Sequence, residues 1–276
     1  MDITRKAIWY VEAHNRTAPS LDAIAGACGI SPFHLTRTFA SVTGVPLMRY
    51  VRRRRLSEAA RLLAAGSPDI LSMALMWGYA SHEAFTRAFR DEFGLTPEEL
   101  RARGNVAGIK LTEALTMHNI TKINLEPPRF ETMSPRIFAG LKQIYDCESP
   151  MGIPNQWQNF GPYIGKIRGQ TGDAAYGVCY DFDDDGNFTY LTAVEVTDTT
   201  GLPKEFETLR VPAQRYVVFV HREHVAGIRS TIATIWSDWF PESGAKAVES
   251  PMLERYGRGF NPATGEGGLE IWIAIQ

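Results

Sequence analysis

Ser31-Pro32-Phe33-His34-Leu35-Thr36-Arg37-Thr38-Phe39-Ala40-Ser41-Val42-Thr43-Gly44 returns fifty residues later as Ser81-His82-Glu83-Ala84-Phe85-Thr86-Arg87-Ala88-Phe89-Arg90-Asp91-Glu92-Phe93-Gly94. Ser31/Ser81, Thr36/Thr86, Arg37/Arg87, Phe39/Phe89 and Gly44/Gly94 are identical. Upstream of each copy, Leu21, Ile24, Ala25, Cys28 and Gly29 align with Ile70, Met73, Ala74, Trp77 and Gly78, with one extra residue in the second turn. An internal repeat of this kind outranks local propensity as a guide to architecture. Leu21, Ile24, Ala25 and Cys28 recur with helical spacing, Gly29 supplies a left-handed turn, and Ser31-Pro32 starts a new helix. Each copy is therefore a helix-turn-helix, whose second helix enters the major groove of DNA. Leu35, Phe39 and Val42 form the buried stripe of the first reading helix, and Phe85, Phe89 and Phe93 that of the second.

The outward faces follow by helical phase. They carry Phe33, Thr36, Arg37 and Ala40 in the first copy, and Glu83, Thr86, Arg87 and Arg90 in the second. Arg37 and Arg87 are candidates for bidentate contacts to guanine. For either arginine, a phosphate contact is the competing assignment. Because the faces differ, the double-stranded DNA site is expected to be asymmetric, read about one helical turn apart by a single chain. Pro46 to Ala65 reads as one connecting helix carrying Arg52, Arg53, Arg54 and Arg55. A basic run alone is usually a solvated face, but between two readers it points to phosphates, with Arg53 as a contact.

Charge divides along the same boundary. Met1 to Gly104 holds 14 basic and 10 acidic residues, net +4, while the remaining residues hold 15 and 21, net −6. All the basic residues of the first part except Lys6 are arginines, which suit phosphate and guanine edges. Cys28, Cys147 and Cys179 are odd in number and far apart, so neither a disulfide framework nor a metal cluster is implied. The sequence contains no apolar signal region and no long apolar span, which gives the expectation of a cytoplasmic protein without membrane partners. No cofactor is called for.

Cys28-Gly29-Ile30-Ser31-Pro32-Phe33-His34-Leu35-Thr36-Arg37-Thr38-Phe39 and Gly78-Tyr79-Ala80-Ser81-His82-Glu83-Ala84-Phe85-Thr86-Arg87-Ala88-Phe89, closed by Phe93-Gly94-Leu95-Thr96-Pro97, closely resemble the two motifs of the AraC/XylS family. The resemblance covers about the first hundred residues. It implies a transcription regulator, commonly an activator that contacts RNA polymerase, with the DNA domain first in a Rob-like arrangement. Phe33 stands where such members often carry tryptophan.

After Gly104 the pattern changes. Residues 105–117 read as a linker and 118–276 as an α+β effector-binding domain. Strands are expected at 137–141, 176–181, 190–196, 215–221, 252–256 and 269–274, with helices at 155–167, interrupted at Gly161-Pro162, and at 226–239. Strand-helix-strand-strand thus occurs twice, giving a sheet covered by helices. Period two places Glu254 with Tyr256, and Glu270 with Trp272, each pair on one side of its strand. A carboxylate beside aromatic planes suits an apolar organic cation. With Tyr180 and Trp157, these four are the candidate ligand residues.

This duplicated layout, with Arg136-Ile137-Phe138-Ala139-Gly140-Leu141, Leu253-Glu254-Arg255-Tyr256 and Leu269-Glu270-Ile271-Trp272-Ile273, resembles the GyrI-like small-molecule-binding fold. Multidrug-sensing members of that fold hold ligands with a glutamate and several aromatics, and Glu254, Tyr256 and Trp272 match those positions. Gln143-Ile144-Tyr145 departs from the glycine-x-tyrosine that often follows the first strand. The reading is a DNA-binding regulator, not an enzyme, modulated by an aromatic or cationic small molecule. Two alternatives stay open: hydrolysis of a small molecule, with Glu254 and Glu270 as acid and base, and docking of a protein partner. His221 and His224 lack further ligands and read as hydrogen-bonded or solvated residues.

Overall fold

Helix boundaries follow the capping residues closely. The computed structural model describes residues 2–66, 69–116, 123–262 and 264–276. By packing, the chain divides into two units: Met1–Leu35 with Pro46–His118, and Thr36–Val45 with Asn119–Gln276.

The helices are α1 (Ile3–Ala13), α2 (Leu21–Cys28), α3 (Pro32–Thr43), α4 (Leu47–Ala64), α5 (Ile70–Met76), α6 (His82–Phe93) and α7 (Pro97–Arg103). Ser20, Asp69 and Ser81 each accept a backbone N–H at a helix start, and Ser31 accepts from His34 N at 3.2 Å. Thr96 and Glu99 close a reciprocal capping box at α7. Both turns pass through a left-handed glycine, Gly29 at φ 74° and Gly78 at φ 72°. Around the second copy, Trp77, Phe85, Phe89 and Leu100 pack on Leu56, Ala59, Ala60 and Leu63 of α4. Leu35 and Phe39 are fully buried as expected, whereas Val42 and Phe93 are only half-buried. Each is the last apolar residue of its stripe, in the final turn of its helix.

The arginine run divides by helical phase. Arg54 points inward and is 7 % exposed at its side chain. Its guanidinium grips the Glu12 carboxylate through Nε at 2.9 Å and Nη2 at 2.7 Å, and donates to the Thr112 carbonyl at 2.8 Å. Arg55 lies over the Tyr79 ring at 5.5 Å, so only Arg52 of the four is exposed. The expected linker, 105–117, is fastened to α4 over its described residues. Ile109 and Leu111 join the core, Thr112 N donates to Ser57 Oγ at 2.9 Å, and Leu115 N donates to Tyr50 Oη at 3.1 Å. The expected boundary at 117/118 lies outside the described residues.

The second unit holds one eight-stranded antiparallel sheet. Its elements are β1 (Arg129–Met133), β2 (Arg136–Asp146), α8 (Ile153–Phe160), β3 (Gln170–Tyr180), β4 (Asn187–Val196), β5 (Glu207–Val211), β6 (Gln214–His221), α9 (Ile228–Thr234), α10 (Phe240–Ser243), β7 (Met252–Tyr256) and β8 (Leu269–Ile275). The strand order β1-β6-β8-β7-β3-β4-β2-β5 is symmetric about the β7/β3 pair. Each half is a strand pair, a helix and a second strand pair, and each half's first strand pairs at the edge of the other half. Those edge strands, β1 and β5, are the two strands that the sequence reading missed. Helix α8 stops at Phe160, at the expected Gly161-Pro162 interruption, because Pro162 offers no N–H to continue it. One core cluster lies on a single face and draws on both edge strands, through Met133 and Val211, and on Tyr176, Val218, Leu253 and Trp272 between them. The sheet therefore curls about that face.

Candidate functional site

Strand parity and register decide which side chains meet. Glu254 on β7 stands opposite Gly177 on β3 and Ile271 on β8, while Arg255 stands opposite Glu270. The two carboxylate–aromatic pairs expected from sequence thus lie on opposite faces of the sheet. Glu254, Tyr256 and Trp157 come together on one face. Glu270 and Trp272 lie on the other, which Tyr180 shares as part of the curled core. This separation removes Glu254 and Glu270 as an acid/base pair acting on one bond.

On the first face Glu254 is only 8 % exposed. Its Oε2 accepts two hydrogen bonds, from Tyr190 Oη at 2.7 Å and from Tyr256 Oη at 2.9 Å. Trp157 Nε1 in turn donates to Tyr190 Oη at 3.0 Å, and the Trp157 ring meets Tyr256 edge-on at 4.7 Å. Phe260 closes on the far edge of Tyr256 at 4.8 Å. Helix α8 is held in place by Gln156, which accepts from Tyr145 Oη at 2.8 Å and donates to the Leu141 carbonyl at 2.6 Å. That anchor sets the neighbouring Trp157 against the sheet. Gly177 leaves the room: a Cβ there would lie 2.1 Å from Tyr190 Oη and 2.7 Å from a Glu254 oxygen.

Burial raises the Glu254 carboxyl above its ordinary value, and the two tyrosine hydroxyls only partly offset this. Burial and the carboxylate raise both Tyr190 and Tyr256 well above the usual phenol value, so both remain donors. A carboxyl with a raised folded-state pKa binds more protons folded than unfolded. Stability therefore falls as pH rises from the unfolded value toward the folded one, and the cost of the buried charge is complete above it. Glu254→Gln keeps the acceptor and removes the charge. It is expected to raise the unfolding midpoint in urea at about pH 8 and to leave it nearly unchanged at about pH 4.

Sequence reasoning missed Tyr190, Gly177 and Phe260. Alternation along β4 marks the face of Tyr190, and Asp184-Asp185-Gly186-Asn187 signals the hairpin that pairs β3 with β4, but nothing local indicates that β7 lies on the other side of β3.

The second face opens as a cleft of about 420 Å³, lined by Arg129, Arg136, Arg255, Glu195, Glu270 and Trp272 among others. Its charges are already paired. Glu270 meets Arg129 at 2.7 Å and Arg255 at 3.3 Å, Glu195 meets Arg136 at 2.8 Å, and the Arg129 guanidinium lies 5.7 Å above the Trp272 ring. The cation place beside Glu270 and Trp272 is filled by the protein's own arginines.

Of the expected DNA residues, Glu83, Arg87 and Arg90 are exposed on α6, and Phe33 and Thr36 are half-buried. Thr86 is also half-buried, and its hydroxyl is enclosed without a hydrogen-bond partner among the described residues. Arg53 lies 3.5 Å from Glu92. Arg37 belongs to the second unit, where its guanidinium sits 3.2 Å above the Phe182 ring. Burial there lowers its pKa to about 10. Among the described residues no group of three metal-ligating side chains occurs, and no helix is long and apolar enough to cross a membrane.

Comparison with known proteins matches two families, a helix-turn-helix domain over residues 24–103 and the GyrI-like small molecule binding domain over residues 126–276. The chain is 26 % identical to the right origin-binding protein of Escherichia coli strain K12 over 263 residues, 92 % of this chain and 90 % of that protein. It is also 26 % identical to the transcriptional regulator Rob of Salmonella typhimurium over 279 residues, 98 % and 95 % of the two chains. The regulatory protein SoxS of Salmonella typhimurium is 36 % identical over 101 residues, 37 % of this chain and 94 % of that protein. The chain belongs to the GyrI-like small-molecule-binding family, carried behind an AraC-type helix-turn-helix domain as a transcription regulator.

Proposed function

We propose that the protein reads an asymmetric double-stranded DNA site with its two helix-turn-helix copies, and that an aromatic organic cation bound beside Glu254 changes that reading. The carrying observation is a carboxylate enclosed by Tyr190, Tyr256 and Trp157, with no cation paired to it among the described residues. A buried unpaired charge is costly, and a ligand that supplies the countercharge against ring faces removes that cost. Relatives named as origin-binding protein, transcriptional regulator and regulatory protein support the DNA part. Activation through RNA polymerase belongs to this reading by the AraC-type resemblance. A ligand shifts such a system only through unequal affinity for two states.

The DNA contacts rest on unequal grounds. Glu83, Arg87 and Arg90 have both the repeat and their exposure behind them; Phe33, Thr36, Thr86, Arg37 and Arg53 have the sequence pattern alone. Arg87→Ala is expected to weaken binding to a site selected from random duplexes by about 10- to 100-fold and to relax preference at one base pair. Uniform weakening across all sequences, with a reduced salt slope, assigns Arg87 to a phosphate instead. The proposal as a whole is tested on the full chain by titrating 1-methylquinolinium into a complex with the selected duplex. The expected result is a shift of DNA affinity or of promoter output in the wild type that is lost in Glu254→Gln, whose binding without the cation is unchanged. An equal response of both proteins, or no response, overturns it.

A further inference from the structure

Resting on that reading, the geometry points to an exchange: a cation entering beside Glu254 displaces a proton from its carboxyl group, so that ligand uptake releases hydrogen ion. Both tyrosine hydroxyls converge on one carboxylate oxygen, Oε2. Among the described residues no hydrogen bond reaches Oε1. The Glu254 carboxyl therefore offers one oxygen already solvated by hydroxyls and another that can carry a proton. An enclosed carboxyl without a countercharge is more stable neutral, and one facing a bound cation is more stable ionised.

The surroundings leave Glu254 as the group that titrates. From β4 and β7 the facing groups are the Tyr190 and Tyr256 hydroxyls, both held protonated by burial and the nearby carboxylate. From β3 the facing group is the Cys179 thiol, which burial and Glu254 likewise raise well above its ordinary value. From α8 it is the Trp157 indole, which does not titrate. Arg37 bears on Cys179. The step balances simply: the O–H bond of the neutral carboxyl breaks, its proton passes to buffer, and the carboxylate keeps the electron pair and faces the ligand's positive charge. Net charge in the site is unchanged. The site thus selects permanent, delocalised cations, and below the free carboxyl's pKa their affinity falls as pH falls.

Calorimetric titration of the full chain with 1-methylquinolinium, in two buffers of different ionisation enthalpy, reads the released proton directly. A neutral isostere, 1-methylnaphthalene, and Glu254→Gln serve as controls. The expected result is up to one proton released per cation bound, with affinity falling toward tenfold per pH unit at the acid end of a range from about pH 8 to about pH 5. The isostere and the Gln variant should release none and show no slope. If the cation binds in preference to its isostere without proton release and with pH-independent affinity, the exchange is overturned while the cation site stands. If the cation and its isostere bind alike, or neither binds, the cation site itself is overturned and the exchange with it.

Discussion

Gly177→Ala is expected to destabilise the second unit by roughly 2–4 kcal/mol and to abolish preference for cationic ligands. The added methyl would stand 2.1 Å from Tyr190 Oη, and Tyr190 is 1 % exposed. A flexible surface chain could swing aside, but this ring cannot. It is locked by Trp157 at 3.0 Å on one side and by Glu254 at 2.7 Å on the other. Overpacking of this kind typically costs about 1–3 kcal/mol, and losing a hydrogen bond to an enclosed carboxylate adds a similar amount. Urea unfolding of the variant measures the sum. A change of less than about 0.5 kcal/mol, the range of ordinary surface substitutions, would show that β3 and β4 do not approach as described.

Arg54→Ala should cost the first unit about 3 kcal/mol, whereas Arg52→Ala, one turn face away, should change stability by less than about 0.5 kcal/mol. Removing the guanidinium takes the paired cation from Glu12, which keeps only its Tyr50 hydrogen bond, leaves the Thr112 carbonyl without its donor, and loosens the segment that crosses α4. The figure is set at the lower end for a broken buried pair because Glu12 keeps about a quarter of its side-chain exposure, 26 %. The Glu12 carboxyl is pushed up by burial but held down more strongly by hydrogen bonds from Arg54 and Tyr50, so it ionises below its ordinary value. Its contribution is therefore complete above the unfolded-state value and is lost as pH falls through the lowered one. Chemical denaturation of the two variants at neutral and acid pH separates these effects. Equal, small changes in both would mean that the run is a uniform solvated face.

What the sequence discloses here depends on how local the signal is. Ser31, Ser81 and Thr96 carry their cap chemistry with them, and the repeat exposes both helix-turn-helix copies before any contact is known. Period two likewise places Glu254 beside Tyr256 from β7 alone. The arginine run looks uniform because four like residues hide their phase; the helical period turns Arg54 inward with Tyr50 and leaves Arg52 outside. Edge strands β1 and β5 are five residues each and find their partners in the opposite half of the sheet, so no neighbouring sequence marks them. The split of Glu254 from Glu270 was already implicit in the antiparallel register of β7 and β8. Arg37 is the plainest departure. Its helical phase puts it with the outward residues, yet it stacks on Phe182, so its assignment to a base edge stands on the repeat alone.

Glu254 as an enclosed carboxyl that pairs with a bound cation is most directly tested by the ratio of two affinities. 1-Methylquinolinium and 1-methylnaphthalene share size and ring shape and differ in one positive charge. Measured on the full chain at about pH 8, where the carboxyl is most ionised, the cation should bind at least about tenfold more tightly, a difference of about 1.4 kcal/mol. Glu254→Gln should bring the two together. Equal affinities in the wild-type protein would contradict the assignment of this site to a cation.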